Sequence, residues 1–164
     1  IDGNDLPGAT SILAGIRESA GRAEVQFSQD GQFDEKDIAD IGIAIVGEKP
    51  YAEGWGDNAL PSLSDEDITA IARLDAASKR LVVIIISGRP LIITEEIRGW
   101  DSLIAAWLPG SEGAGVADVL FGRARSTGKL PLPWPRNIEQ LPFENGTSRD
   151  GTSPLFPRGF GLTL

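Results

Sequence analysis

Leu81-Val82-Val83-Ile84-Ile85-Ile86, followed at once by Ser87-Gly88-Arg89-Pro90, is the stretch on which the fold turns. A short run that is apolar throughout and is ended by turn residues predicts a strand buried on both faces. The run Ile41-Gly42-Ile43-Ala44-Ile45-Val46 has the same character and predicts a second such strand, neighbouring the first at the centre of a sheet. Between them, Ser64 opens Ser-Asp-Glu-Asp, an N-cap with three carboxylates in the first turn, where the helix dipole favours negative charge. Ile68, Ile71, Ala72 and Leu74 continue it as a helical stripe.

Downstream, a helix is expected over Thr94 to Arg98 and a short buried strand over Leu103 to Trp107. A loop follows at Leu108-Pro109-Gly110-Ser111-Glu112-Gly113, and Val116, Val119 and Leu120 mark a helix stopped by Gly122. Upstream, Thr10 is placed to cap a helix carrying Ile12, Leu13 and Ile16, with Gly21 just past its end. Glu24 to Phe27 is a candidate short strand, and Asp34 to Ala39 a candidate helical turn. Strands alternating with helices predict a three-layer α/β/α sandwich with a mostly parallel sheet. Such a sheet normally opens with a strand, whereas this chain opens with a loop and a helix, so a first strand is expected upstream of Ile1. From Arg123 the chain is rich in Pro and Gly; residues 123–164 are read as an extended tail wrapping the domain, with one strand near Lys129 to Leu132.

The length of 164 residues suits one domain, spanning 1–164. A net charge of −9 argues against nucleic acid or an anionic membrane as partner, because both call for a basic surface. There is no cysteine, which removes disulfides and thiolate chemistry, and no histidine, which removes a Ser-His-Asp triad and the commonest metal ligand. Acid–base chemistry at neutral pH therefore falls to Glu, Asp, Lys or Tyr. No apolar run approaches the 18 or so residues that a membrane helix needs. The chain starts at Ile1 and contains no methionine, as an excised or processed piece would.

The chemistry is expected where strands end at their carboxyl edge. Gly47 to Asn58, Ser87 to Pro90 and Leu108 to Gly113 each follow a predicted strand, and together they offer Glu48, Glu53, Trp55, Asp57, Arg89, Trp107 and Glu112. The first of these loops reads Gly-Glu-Lys-Pro-Tyr-Ala-Glu-Gly-Trp-Gly-Asp-Asn. Carboxylates beside a tryptophan suit the handling of sugars; a solvated acidic loop is the other reading. Arg89, between Gly and Pro, reads first as a structural ion-pair former, Trp107 as a core residue, and Tyr51 as a shaper of its loop. Glu48 lies one residue past its strand, where a side chain is usually tied to neighbouring backbone. Glu53 lies beyond Pro50 and before Gly54, free to project. A glutamate held against aromatic groups has its neutral form favoured and can act as a general acid. Gly110, Glu112 and Gly113 lack the lysine and hydroxyl of a phosphate loop. No metal site and no cofactor are expected, since no acidic cluster has the spacing of a calcium loop.

Several stretches resemble the C-terminal α/β sandwich domain of glycoside hydrolase family 3, in its exo-β-glucanase and β-glucosidase branch. They are Gly-Glu-Lys-Pro-Tyr-Ala-Glu-Gly-Trp-Gly-Asp (47–57), Ser-Gly-Arg-Pro-Leu (87–91), Ala-Ala-Trp-Leu-Pro-Gly-Ser-Glu-Gly (105–113) and Ala-Asp-Val-Leu-Phe-Gly (117–122). Pro-Gly-Ala-Thr-Ser (7–11), Thr-Gly-Lys-Leu-Pro (127–131) and Phe-Pro-Arg-Gly-Phe-Gly-Leu (156–162) also fit, in order and over nearly the whole chain. The resemblance implies a retaining hydrolase whose active site lies between this domain and a preceding (β/α)8 barrel that carries the nucleophilic aspartate. It implies Glu53 as the general acid/base, with Glu48 the second choice, and Trp55 and Asp57 as substrate contacts. The implied substrates are β-linked glucosides or gluco-oligosaccharides cut from the non-reducing end, and the implied location is periplasmic or secreted. The barrel is absent from this chain, which by itself is expected to be inert. A non-catalytic saccharide-binding or buttressing α/β domain is the alternative.

Overall fold

The computed structural model describes residues 6–34, 36, 38–51 and 54–163. The chain divides into two compact units, one of Ser28–Trp107 with Lys129–Phe160, the other of Ile1–Phe27, Leu108–Gly128 and Gly161–Leu164.

The larger unit holds a three-stranded parallel sheet of β1 (Gly42–Gly47), β2 (Leu81–Ile86) and β3 (Ser102–Trp107), in that order. The expected α/β class with a parallel sheet is what forms. β2 is the central strand, with Val83, Ile84 and Ile85 all within 1% of full burial. β1 pairs with it in register from Gly42 on Leu81 to Gly47 on Ile86. The two runs are neighbours as anticipated, but β1 is an edge of the described sheet and is not covered on both faces. Ala44 and Val46 are buried, whereas Ile45 between them is 39% exposed and faces the cleft described below.

Helix α2 (Asp65–Ala76) begins where its cap predicts, the Ser64 hydroxyl accepting from the backbone N–H of Asp67 at 3.1 Å. It packs on β1 and β2 and buries Ile71 in a core with Val46, Leu63, Val83, Ile85, Leu91 and Ile93. Trp134, from the proline-rich segment, is buried in the same core.

Close backbone approach controls the carboxyl ends of the strands. A Cβ at Gly47 would lie 1.8 Å from the carbonyl oxygen of Ile86, so only glycine lets β1 finish against β2. On the other side the β2–β3 register slips, Ile85 pairing with Ala105 but Ile86 with Trp107. Trp107 sits at φ 54, and its carbonyl accepts from the N–H of Ser87 at 3.1 Å. The bulge turns the Trp107 ring onto Trp134, with centroids 6.2 Å apart.

Several local expectations are corrected. Thr94 to Arg98 is not an α-helix; only Glu96–Gly99 forms a 3-10 turn. The Thr94 hydroxyl is tied to the carbonyl of Arg136, and the N–H of Asp101 pulls the chain back to Leu81. Lys129 to Leu132 forms no strand. Pro131, Pro133 and Pro135 withhold alternate donors; Leu130 is paired through its N–H to Phe160 and through its carbonyl to Gly159, and Trp134 forms an isolated bridge with Phe156. Glu24 to Phe27 forms no strand either: it has no ladder partner, and Phe27 is 61% exposed. Among the described residues of 34–39 there is no helix; the Asp34 carboxylate accepts from the N–H of Lys36, and Ala39 bridges to Ser78.

The smaller unit is a pair of packed helices, α1 (Ile12–Ser19) and α3 (Gly113–Leu120). The cap of α1 is Ser11, not Thr10, its hydroxyl accepting from Ala14 at 3.1 Å. The backbone of Thr10 is instead paired to the loop before α3, its N–H to Ser111 and its carbonyl to the N–H of Gly113. The helices approach closely because Gly15 lies against Gly113, Ala114 and Ala117, where a Cβ would meet atoms at 3.0–3.1 Å. Gly21 and Gly122 end the two helices at φ 63 and 71, as their positions predict.

Candidate active site

The carboxyl ends of β1 and β2 open into a cleft of about 750 Å³. One wall is the loop after β1, with Glu48, Lys49, Tyr51, Trp55 and Asp57. The facing wall is the start of α2, with Ser64, Glu66 and Asp67, and the floor includes Ile45, Leu63 and Ile86. The topology explains the meeting of the two loops: parallel neighbours finish at the same edge, so the loops leaving β1 and β2 must share space.

Arg89, from the loop after β2, is anchored through its own backbone, its carbonyl accepting from the buried Ser87 hydroxyl at 2.6 Å. Its guanidinium donates twice to Oε1 of Glu48, from Nε at 2.8 Å and Nη2 at 2.6 Å. The Glu48 side chain is 11% exposed and that of Arg89 29%, so the pair is partly withdrawn from water. The hydrogen bonds to Glu48 first, and the Glu48 and Asp57 carboxylate charges after them, push the Arg89 guanidinium above its already high value, against the opposing effect of burial. It is a fixed cation. Oε2 of Glu48 is buried and without a hydrogen-bond partner among the described residues.

The Arg89 guanidinium also lies over Tyr51, with Cζ 4.8 Å from the ring centroid. Tyr51 in turn lies against Gly56, where a Cβ would fall 2.0 Å from its ring. Trp55 projects almost wholly into solvent, 92% exposed.

Of the seven side chains anticipated at this edge, the cleft gathers Glu48, Trp55, Asp57 and Arg89. Glu53 lies outside the described residues. Trp107 packs on Trp134, and Glu112 belongs to the other unit, where its Oε1 accepts from the Ser111 hydroxyl at 3.3 Å. Arg89 is the ion-pair former its flanking residues suggested, and the Glu48 side chain is tied to that cation and not, as expected, to neighbouring backbone. Glu66 and Asp67 were legible only as helix-cap charges; their place in the cleft wall comes from the packing of α2 beside β1. Among the described residues no group of three or more metal-type side chains converges. The cleft is instead an open, polar and aromatic surface with one exposed indole and the Asp57 carboxylate, suited to the hydroxyls and apolar faces of a saccharide.

The sequence model of the glycosyl hydrolase family 3 C-terminal domain matches residues 3–164. Among curated proteins, the chain is 33% identical to a periplasmic beta-glucosidase of Salmonella typhimurium over 76% of its own length and 19% of that protein. It is 29% identical to a lysosomal beta glucosidase of Dictyostelium discoideum over 98% of its own length and 22% of that protein. Among solved structures it is similar to an exo-1,3/1,4-beta-glucanase from a Pseudoalteromonas species, at 35% identity and a TM-score of 0.78, covering 98% of this chain and 21% of the other. The chain thus spans about a fifth of the length of each of these three relatives. On the family match over residues 3–164, the chain belongs to the glycosyl hydrolase family 3 C-terminal domain family.

Proposed function

We propose that this chain is the C-terminal domain of a retaining, exo-acting β-glucosidase or β-glucanase, supplying the general acid/base carboxylate to an active site shared with a (β/α)8 barrel. The observation that carries the reading is the loop after β1: it lines a saccharide-sized cleft, and it holds Trp55, Asp57 and, in sequence, Glu53. Glu53 is assigned the acid/base role, and Trp55 and Asp57 contact the substrate. Glu48 is the second choice, but its double hydrogen bond to Arg89 commits one of its oxygens to a structural ion pair. The substrates are β-linked glucosides or gluco-oligosaccharides. A periplasmic or secreted location is supported by the periplasmic relative. Residues 123–164 are read as an extended tail wrapping the domain, which the burial of Trp134 in the core of the sheet unit supports.

In the reaction, the barrel aspartate attacks the anomeric carbon while Glu53 gives its proton to the departing glycosidic oxygen. Glu53, now a carboxylate, then takes a proton from the water that opens the covalent glycosyl-enzyme. Both carboxyl groups are required, roughly 5 Å apart. Residues 1–164 alone should therefore release no phenol from an aryl β-glucoside. In the protein that carries the barrel as well, Glu53→Gln should lower turnover of a glucoside with a poor leaving group by roughly 10²–10⁴-fold, the usual contribution of general acid catalysis. Turnover by the isolated chain would contradict the two-domain account. An unaffected Glu53→Gln enzyme would favour the buttressing alternative.

A further inference from the structure

We propose that Arg89 and Tyr51 are positioning residues: Arg89 clamps the loop after β1 at Glu48 and Tyr51, and Tyr51 passes the constraint on to Gly56. The inference rests on the reading of that loop as the acid/base loop. Its geometry is a chain of four links within one unit. The Ser87 hydroxyl fixes the Arg89 carbonyl at 2.6 Å, so the base of the clamp belongs to the rigid end of β2. The guanidinium edge holds Glu48 by two hydrogen bonds at 2.6 and 2.8 Å. The guanidinium also lies over the Tyr51 ring, Cζ 4.8 Å from its centroid. Gly56 lies against the same ring and cannot gain even a methyl group without displacing it.

The last three links bracket the middle of the loop. Glu48 and Tyr51 lie on one side of Glu53 in sequence, and Gly56 lies on the other, with Trp55 and Asp57 beside it. A loop anchored only at Gly47 and Asn58 would have a wide choice of backbone conformations. Tying down Tyr51 and Gly56 to one cation leaves a short span between the ties. The anchor is well suited to the task. A planar guanidinium can donate from its edge and stack on its face at once, which a lysine ammonium cannot do. Tyr51 is 45% exposed, so its stacking adds little to the stability of the fold; its consequence is local order.

Four variants separate this role from a general structural one, made in the barrel-containing protein. Tyr51→Leu removes the stacking, and Gly56→Ala drives the ring away without touching the ion pair. Arg89→Lys keeps the charge but loses the fork, and Tyr51→Phe keeps the ring. Because an ångström-scale misplacement of a catalytic group can cost up to about 100-fold, Tyr51→Leu and Gly56→Ala should lower kcat/KM, which reports the glycosylation step, about 10- to 100-fold on a methyl or alkyl β-glucoside. The loss of kcat/KM on a dinitrophenyl β-glucoside, whose phenolate departs without protonation, should be several-fold smaller. The melting temperature should barely change, Arg89→Lys should follow Tyr51→Leu, and Tyr51→Phe should behave as the parent. Equal losses on both substrates, no loss, or a Tyr51→Phe variant as poor as Tyr51→Leu would overturn the proposal.

If the Glu53→Gln control lacks leaving-group dependence, the acid/base assignment itself has failed. The clamp is then decided on residues 1–164 by amide NMR of Gly54, Trp55, Gly56 and Asp57. Altered shifts and raised mobility in Tyr51→Leu, restored in Tyr51→Phe, uphold it. Spectra unchanged from the parent overturn it.

Discussion

The indole Nε1–H of Trp134 donates a 2.7 Å hydrogen bond to the carbonyl of Leu91, and both side chains are within 1% of full burial. A residue from the proline-rich segment thereby satisfies a carbonyl just past the loop that carries Arg89. The same ring packs on Trp107 at 6.2 Å and on Phe156 at 6.4 Å.

Trp134→Phe should keep part of the packing and lose the hydrogen bond. Leaving the buried Leu91 carbonyl unpaired costs about 1–3 kcal/mol, and the midpoint of urea unfolding of residues 1–164 should fall accordingly. Trp134→Ala should cost about 3–5 kcal/mol, because it also opens a cavity between Trp107 and Phe156.

Two glycines should respond in opposite directions. Gly47→Ala places a Cβ 1.8 Å from the Ile86 carbonyl oxygen, so β1 must part from β2 at its carboxyl end. A destabilisation of at least about 1–3 kcal/mol is expected. Gly115 lies inside α3 with open space where a Cβ would go, so Gly115→Ala should stabilise by about 0.4–1 kcal/mol. Thermal unfolding of the two variants beside the parent checks both signs.

Asp101 gives the fold a pH dependence of known sign. Its carboxyl is held below its ordinary value first by the N–H of Leu81, at 2.8 Å, and then by Arg80, at 2.7 Å. A carboxyl lowered in the folded state adds stability that is fully present above its unfolded value, near 4, and is lost as pH falls through the folded value. Asp101→Asn should therefore be less stable than the parent at pH 7, and the gap should close on acidification below about pH 4. A gap that stays constant down to pH 2 would rule out this linkage.

The parts of the fold that were legible in the sequence are those decided by local chemistry. β2 is read directly because an unbroken apolar run can sit only where both faces are covered, and Ser64 because its hydroxyl answers an orphan N–H three residues on. Parallel pairing followed from the alternation of strands and helices. Trp134 was not legible as a core residue: between Pro133 and Pro135 it has no periodicity, and its partners, Leu91 and Trp107, are distant in sequence. The edge position of β1 and the failure of Lys129 to Leu132 to pair are likewise decided by partners, not by the segments themselves. At the site, Glu48, Trp55 and Asp57 were found as loop residues after a strand. The clamp of Arg89 on Glu48 and Tyr51 required the adjacency of β1 and β2. The role proposed for Glu53 rests on the resemblance of 47–57 to the family motif, since residue type and spacing left Glu48 as a rival.

The comparison of Glu53→Gln with Glu48→Gln, in the protein that carries the barrel, tests the central claim most directly. Each variant is assayed on a series of aryl and alkyl β-glucosides of rising leaving-group basicity, with and without azide. The amide at residue 53 keeps the shape of the side chain but can neither give up a proton nor take one from water. Glu53→Gln should lose roughly 10²–10⁴-fold on the poorest leaving groups and much less on the best, and azide should restore turnover of the latter as β-glucosyl azide. Glu48→Gln weakens the tie to Arg89 and should show only the smaller leaving-group dependence of the clamp variants, with no azide rescue because Glu53 is intact. Leaving-group dependence and azide rescue in Glu48→Gln but not in Glu53→Gln would contradict the assignment.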